Sequence, residues 1–160
     1  MKPRTRGPGR RRRASKDTKE YIVQAIDVQD DIKNVLFSKE EINAKVAELA
    51  ARIDEDYAGK DVLLVGVLKG AIMIMADLSR ALKGHYTMDW MAVSSYGSGT
   101  KSSGVVRILK DLDTDLVGRN VLIVEDIIDS GLTLAWLQQN LISRGAASVE
   151  ICTLLRKPKV

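Results

Sequence analysis

The stretch DVLLVGVL, residues 61–68, is the strongest indicator of fold in this sequence. After Asp61 every position is apolar or glycine, so an extended strand would present apolar side chains on both faces. A run of this length with two apolar faces is typical of a strand buried inside a parallel sheet. The segment AIMIMADLSRAL, residues 71–82, follows directly and is predicted to be the helix that covers this strand. The two together predict the first strand–helix unit of an α/β fold.

The segment before this strand predicts another helix. Ser38 followed by Glu41 forms a capping-box signature. Apolar residues then recur at spacings of three and four positions, namely Ile42, Val46, Leu49, Ile53 and Tyr57. This is the period of an amphipathic helix, and Gly59 is predicted to end it.

The segments after residue 82 continue the alternation of strand and helix. We predict strands over residues 87–93, 105–109, 120–125 and 148–155. Leu134, Leu137 and Leu141 predict a helix between the last two strands, and Gly145 is expected to close it. Strands with two apolar faces that alternate with helices predict an α/β fold on a parallel sheet.

Composition narrows the functional classes. A chain of 160 residues that is 45% hydrophobic is long enough for one domain with a core of its own. It contains no run of about 18 apolar residues and no secretory signal at its N-terminus, so we predict a cytoplasmic protein without a membrane partner. Cys152 is the only cysteine and is expected to be an ordinary strand residue. His85 is the only histidine and is expected to lie on the surface.

The charge is concentrated at the N-terminus. Residues 1–20 carry nine basic and two acidic residues, a net charge of +7, so with +4 overall the remaining residues carry −3. We predict a disordered basic tail over residues 1–20 and a globular domain over residues 21–160. The tail could solubilise the chain or be an extended start, and a transit peptide is a weaker alternative. Cationic clusters bind phosphates, but the tail has no aromatic residue for stacking on bases, so nucleic acid is an unlikely partner.

The stretch VLIVEDIIDSGLT, residues 121–133, contains the main candidate functional residues. Glu125, Asp126 and Asp129 follow a predicted strand and precede a helix N-terminus. One interpretation is structural, with Asp129 or Ser130 as helix N-cap and the other two acids solvated. The other is a binding site, because free N–H groups at a helix start bind phosphate and Gly131 lets the backbone form an anion nest. Carboxylates beside a phosphate cradle would hold hydroxyls or a divalent cation, as a phosphorylated sugar requires.

These residues resemble the phosphoribosyl-diphosphate signature of type I phosphoribosyltransferases. Three further segments are similar to hypoxanthine-guanine phosphoribosyltransferases in the same order: VLKGA at 67–71, SSYGSGTKSSG at 94–104 and LLRKP at 154–158. The resemblance covers residues 31–158. It implies the type I phosphoribosyltransferase fold and a purine salvage enzyme. That enzyme would transfer 5-phosphoribose from phosphoribosyl diphosphate to N9 of hypoxanthine or guanine, releasing diphosphate and IMP or GMP.

The resemblance also implies a role for each residue of the signature. Glu125 and Asp126 would hold the ribose hydroxyls, directly or through Mg²⁺, the expected cofactor. Asp129 would be the catalytic residue, which faces N7 of the purine and takes part in proton transfer there. The 5-phosphate would lie on the backbone of Asp129, Ser130, Gly131, Leu132 and Thr133. Many relatives have lysine at the position of Leu132, so a contact there would be made by backbone alone.

Two lysines have both a functional and a structural interpretation. The resemblance places Lys69 and Gly70 in a diphosphate-binding loop that opens with a cis peptide between Leu68 and Lys69. Otherwise Lys69 is a strand-end lysine that reaches solvent. The resemblance implies that Lys157 binds the 6-oxo group of the purine. This contact would select hypoxanthine and guanine over adenine. The alternative is that Lys157 is an ordinary surface lysine. Because Arg156 is its neighbour, the match to the family motif could also be shifted by one residue.

The segment GSGTKSSG, residues 97–104, looks like a nucleotide P-loop but lacks the spacing, and it leads into a predicted strand rather than a helix. A loop that closes over the site fits better, and Ser95-Tyr96 resembles the family's lid dipeptide. Closure would exclude water from the reacting ribose. The alternative is an ordinary mobile loop.

The resemblance also concerns the C-terminal side. Relatives continue beyond the LLRKP-like strand into a segment with an aromatic residue that stacks on the purine and a carboxylate for a second magnesium ion. This sequence stops at Val160, so we expect a fold shortened at its C-terminus that binds phosphoribosyl diphosphate but turns over slowly.

The sequence leaves other functions and the assembly open. A homodimer or homotetramer is expected. One alternative function is a non-enzymatic regulator that senses phosphoribosyl diphosphate and binds nucleic acid. Another is a relative specific for xanthine or a pyrimidine.

Overall fold

The computed structural model describes residues 32–96 and 105–158, with only the backbone described at positions 95, 96 and 105. Its elements in chain order are α1 (Lys39–Asp56), β1 (Val62–Leu68), α2 (Ile72–Ala81), β2 (Tyr86–Tyr96), β3 (Val105–Lys110), β4 (Asn120–Ile128), α3 (Leu132–Ser143) and β5 (Ser148–Arg156). Each predicted helix and strand is present. The boundaries differ most at β2 and β4, which each extend three residues beyond their predicted ends at 93 and 125.

The strands form one sheet in the order β3-β2-β1-β4-β5. β1 pairs in parallel with β2 and with β4, and β4 pairs in parallel with β5. β3 pairs antiparallel with β2, so the predicted parallel sheet has one antiparallel edge. The physical reason is the connection, because residues 97–104 are too few for the crossover of a dozen or more residues that a parallel pair needs.

The two apolar faces of β1 explain its place in the sheet. Leu64 packs with the buried side chains of α1 and α2 on one face. Leu63 and Val65 pack on the other face with α3, which contributes Leu134, Leu137 and Leu141. Because neighbouring strand residues point to opposite faces, a strand covered by helices on both sides must be apolar at each position.

Helix α1 begins where the sequence predicts. Ser38 is its N-cap, and the backbone N–H of Glu41 donates to Ser38 Oγ at 3.1 Å. In return the backbone N–H of Ser38 donates to Glu41 Oε2 at 2.7 Å. The helix ends at the C-cap Tyr57, and Gly59 follows with φ of +73°. The predicted capping box is therefore confirmed.

Asp89 on β2 is the one charged side chain buried within the described ranges, with 6% of its surface exposed. Its carboxylate accepts from the backbone N–H groups of Trp90 at 2.7 Å, Asp113 at 2.8 Å and Thr114 at 2.9 Å. Burial alone would raise the pKa of Asp89, but these hydrogen bonds outweigh burial and leave the pKa lowered. The carboxylate thereby fastens the β3–β4 connection to the sheet.

The one cysteine and the one histidine of the sequence lie where the sequence predicts. Cys152 lies buried in β5, and burial raises the pKa of its thiol. His85 is exposed between α2 and β2. Neither side chain lies among the predicted site residues.

The chain divides into two units, residues 1–36 and residues 37–160. Only residues 32–36 of the first unit are described, so the predicted boundary at residue 20 and the basic tail lie outside the described residues. Within the described parts, no helix has both the length and the apolar character needed to cross a bilayer.

Candidate active site

The predicted site residues lie where the sheet reverses its order. β1 and β4 are paired from Val62 with Asn120 to Gly66 with Val124, and no further. Beyond that pair, β1 continues beside β2 while β4 continues beside β5. The two strand ends therefore separate and open a crevice. In α/β sheets this switch point, at the carboxyl ends of the strands, is where ligands bind.

Glu125 and Asp126 lie within β4, since the strand runs on to Ile128. Glu125 Oε2 is buried and has no hydrogen-bond partner in the described residues. Burial raises the pKa of Glu125 to about 7, and the neighbouring Asp126 carboxylate adds to this rise. A buried oxygen without a partner at a crevice is a position where a ligand hydroxyl or a cation would replace the missing contact.

Asp126 faces the loop that follows β1. Its Oδ1 accepts from the backbone N–H of Ile127 at 2.7 Å. The loop backbone at Gly70 comes so close that a Cβ there would lie 2.8 Å from Asp126 Oδ1. The structure therefore brings the predicted ribose residue and the predicted diphosphate loop into direct contact.

The loop after β4 turns into α3 at Gly131, which is the N-cap with φ of +79° and makes no side-chain capping bond. The interpretation in which Asp129 or Ser130 is the N-cap is therefore wrong. Ser130 Oγ accepts from the backbone N–H of Leu132 at 3.4 Å. The N–H groups of the first turn of α3 have no partner within the helix.

Asp129 has a partner of its own. Its Oδ2 lies 2.9 Å from Lys157 Nζ, and both side chains are more than half exposed, at 74% and 55%. The backbone N–H of Lys157 donates to the carbonyl oxygen of Ile128 at 2.9 Å, which fixes the end of β5 beside this loop. Of these two neighbouring basic residues, Lys157 and not Arg156 contacts the predicted catalytic acid.

Two cavities flank the loop at residues 128–131. The one toward β1 and β2 has a volume of about 270 Å³ and includes Glu125, Gly131 and Thr133 in its lining. The one toward β5 has a volume of about 610 Å³ and includes Gln138 and Lys157. Asp129 lines both, so this residue stands between the two spaces.

The family described as "Phosphoribosyl transferase domain" matches residues 34–159. The chain belongs to the phosphoribosyltransferase family. The predicted α/β fold is confirmed.

Individual relatives carry more specific names. The hypoxanthine-guanine phosphoribosyltransferase of Mycobacterium tuberculosis is 58% identical over 134 residues, which cover 80% of this chain and 66% of the relative. A hypoxanthine phosphoribosyltransferase structure from Staphylococcus aureus has a TM-score of 0.78 at 44% identity, covering 82% of this chain and 71% of that one. The hypoxanthine phosphoribosyltransferase of Trypanosoma cruzi in complex with the product IMP has a TM-score of 0.71 at 41% identity, covering 78% and 71%. The chain spans about two thirds of the length of its mycobacterial relatives.

The remaining predicted residues lie at the ends of β1 and β2. The Leu68–Lys69 peptide is cis, as predicted, and Lys69 and Gly70 are exposed between β1 and α2. Ser95 and Tyr96 are the last residues of β2, but their side chains lie outside the description. The segment GSGTKSSG at 97–104 also lies outside the described residues.

The sequence analysis missed two features of the site. Val93 of β2 and Ile128 of β4 line the smaller cavity, although neither carries a polar signal. Gln138 lines the larger cavity, and its side-chain amide donates to the carbonyl oxygen of Val149 at 2.7 Å. Its position one helical turn after Leu134 is the signal that could have placed it near the loop.

Proposed function

We propose that this chain transfers the 5-phosphoribosyl group of phosphoribosyl diphosphate to N9 of hypoxanthine or guanine, giving IMP or GMP and diphosphate. The observation that carries the proposal is the pair of Asp129 and Lys157 beside the glycine turn into α3. It sets an acid and a cation next to a phosphate-binding backbone at the switch point. The relatives named above, one of them bound to IMP, support the same reaction.

The 5-phosphate is assigned to the backbone of residues 129–133. Its negative charge would be stabilised by the free N–H groups and the positive end of the α3 dipole. Gly131 has the left-handed conformation that such a turn needs, and Thr133 adds a hydroxyl at the cavity wall. Leu132 would contribute its backbone only, because its side chain is apolar and 58% exposed.

The ribose hydroxyls are assigned to Glu125 and Asp126. The buried, unpartnered Oε2 of Glu125 would accept a hydrogen bond from a ribose hydroxyl. This bond would remove the free-energy cost of a buried oxygen without a partner. The loop with Lys69 and Gly70 is assigned to the diphosphate, which would then lie across the crevice from the ribose. Lys69 is exposed there and could pair with the diphosphate charge.

Mg²⁺ is the proposed cofactor. Among the residues described, no group of three or more His, Cys, Asp or Glu side chains could hold a metal ion alone. Two adjacent carboxylates nevertheless fit Mg²⁺, because this ion is usually held by one or two carboxylates together with water and substrate phosphates. The chemistry that Mg²⁺ supplies when bound is neutralisation of charge on the diphosphate leaving group.

The purine is assigned to Asp129 and Lys157. Lys157 would donate to the 6-oxo group, and Asp129 would hold or receive the proton at N7 while N9 bonds to the ribose. Adenine presents an amino group where hypoxanthine and guanine present an oxygen, so a lysine donor would disfavour it. Xanthine also carries the 6-oxo group, so Lys157 by itself would not exclude it.

Three further parts of the proposal, the lid, the oligomer and the cytoplasmic location, rest on the family resemblance. Ser95 and Tyr96 are proposed as a lid that excludes water during reaction. A homodimer or homotetramer in the cytoplasm is proposed from the family resemblance. The regulator alternative depends on the basic tail, which lies outside the described residues, and no observation in the described residues favours it.

The deciding experiment is a base panel with phosphoribosyl diphosphate and Mg²⁺. We expect nucleotide formation with hypoxanthine and guanine and little or none with adenine or uracil. Calorimetric titration with phosphoribosyl diphosphate measures substrate binding separately, so slow turnover is distinguished from failure to bind. Binding without transfer to any base would favour the sensing alternative, and equal transfer to uracil would contradict the purine assignment.

A further inference from the structure

The loop after β1 approaches β4 across the crevice at Gly70. The strands are paired up to Gly66 and Val124 and then diverge, so no ladder bond holds the loop after β1 against β4. The contact between Gly70 and the carboxylate of Asp126 spans this gap. It joins the two segments that are assigned to different halves of one ligand.

Gly70 is required for space and not for backbone conformation. A Cβ at this position would lie 2.8 Å from Asp126 Oδ1, and 3.0 Å from both Cγ and Oδ2. These separations are well inside normal van der Waals contact. The left-handed glycines of the described residues are Gly59, Gly118, Gly131 and Gly145, so the φ of Gly70 is one that any residue could adopt. What excludes a side chain is therefore the Asp126 carboxylate itself.

One hydrogen bond holds the Asp126 carboxylate in this position. Its Oδ1 accepts from the backbone N–H of Ile127 at 2.7 Å, which holds the side chain against its own strand. On the other side lies the backbone of the loop. The carboxylate and the loop therefore define each other's position across the crevice.

We propose that the Gly70–Asp126 contact couples the diphosphate half of the site to the ribose half, with Asp126 acting as a positioning residue for the loop. This inference rests on the proposed function, which assigns the loop to diphosphate and Asp126 to ribose. A ligand that spans both halves, such as phosphoribosyl diphosphate, needs both parts in register. Displacing either part by about 1 Å would weaken binding strongly.

The first test is a double-mutant cycle on affinity for phosphoribosyl diphosphate with Mg²⁺. We expect Gly70→Ala to weaken binding about 10- to 100-fold, because the new Cβ displaces the carboxylate or the loop. Asp126→Ala removes the obstructing group, so adding Gly70→Ala to it should change affinity by less than about twofold. Asp126→Asn keeps the size of the side chain, so Gly70→Ala should remain costly in that background. Equal cost in the Ala and Asn backgrounds would overturn the proposal.

The second test needs no change at Gly70 and so remains available if that variant fails to fold. Asp126→Glu keeps the charge but lengthens the side chain toward the loop, whereas Asp126→Asn keeps the length and loses the charge. For inorganic diphosphate with Mg²⁺, steric coupling predicts weaker binding to Asp126→Glu than to Asp126→Asn. If Asp126 acts only through its charge, the order is reversed, and that result would overturn the proposal.

The wild-type chain separates this inference from the function beneath it. If the wild type binds neither phosphoribosyl diphosphate nor diphosphate, the proposed function is wrong and the coupling is wrong with it. If the wild type binds both and the variants follow a charge order or an additive cycle, the function stands and the coupling alone is wrong. Gly118→Ala, far from the crevice, is the control for a glycine substitution that should leave both affinities unchanged.

Discussion

Lys157 Nζ lies 2.9 Å from Asp129 Oδ2, and this ion pair joins the end of β5 to the loop after β4. Each side chain is more than half exposed, at 55% and 74%. Exposed pairs of this kind contribute about 0–1 kcal/mol, so a ligand can separate them at little cost. A 6-oxopurine presents an oxygen and N7 on one edge. The oxygen would replace Asp129 as the partner of Lys157, and N7 would replace Lys157 as the partner of Asp129. Four predictions test this site and the fold that supports it.

The first prediction concerns the acid of the pair. Asp129→Asn should lower turnover by about 10²- to 10⁴-fold while affinity for phosphoribosyl diphosphate stays nearly intact, because the amide keeps the shape but cannot take up a proton. Rates of IMP formation and a substrate titration measure the two effects. Asp61→Asn is the matched control, since Asp61 is 70% exposed and pairs with Arg119 at 2.9 Å at the opposite end of the sheet. Turnover of Asp129→Asn near that of the control would remove Asp129 from the proton transfer.

The second prediction concerns the lysine. Lys157→Ala should weaken hypoxanthine binding about 10- to 100-fold, since a hydrogen bond from a charged donor contributes about 1.5–3 kcal/mol. Affinity for adenine should not fall. Arg156→Ala is the control, because the neighbouring arginine makes no ion pair with Asp129 in the described structure. Equal losses in both variants would mean that position 157 does not read the base.

The third prediction separates the phosphate cradle from general backbone strain. Gly131 and Gly118 have nearly the same conformation, with φ of +79° and +73°, and neither is crowded at the position of a Cβ. Alanine at either site should cost about 1–2 kcal/mol of unfolding free energy, because a side chain is disfavoured in the left-handed region. Only Gly131→Ala should also weaken phosphoribosyl diphosphate binding, by about tenfold or more. Titration and thermal unfolding of both variants decide this, and equal effects on binding would misplace the cradle.

The fourth prediction concerns the buried carboxylate of Asp89. Its pKa is lowered in the folded state, so the folded protein keeps the charged form at pH values where the unfolded chain binds a proton. The stabilisation is therefore present above the unfolded pKa of about 3.9 and is lost as the pH falls through the lower folded value.

Urea unfolding of the wild type and Asp89→Asn measures this effect. At neutral pH the variant should be less stable by about 1–3 kcal/mol, because an amide cannot accept from three backbone N–H groups as well as a carboxylate does. The difference should shrink as the pH falls below about 4. Asp115→Asn in the same connection, which is exposed, is the control for an aspartate substitution there. A difference for Asp89→Asn that stays constant with pH would contradict the assignment.

Local patterns in the sequence were sufficient for most of the fold. The Ser38–Glu41 capping box, the apolar faces of β1 and the spacing of leucines in α3 each depend on residues within a few positions of one another. Helix caps and strand burial follow from such short-range rules, so these elements could be predicted without the structure. The signature at residues 121–133 predicted the location of the candidate site for the same reason.

The tertiary structure decided what depends on residues far apart in the chain. The antiparallel pairing of β3, the burial of Asp89 under the β3–β4 connection and the meeting of Asp129 with Lys157 each require the sheet to be assembled. The closeness of Gly70 to Asp126 likewise depends on how far two strands diverge. The sequence by itself determined which residues are candidates for the chemistry, because side-chain type and local spacing are chain properties. Only the packed sheet determined which of them touch, because distances across a crevice depend on how neighbouring strands pair and where they diverge.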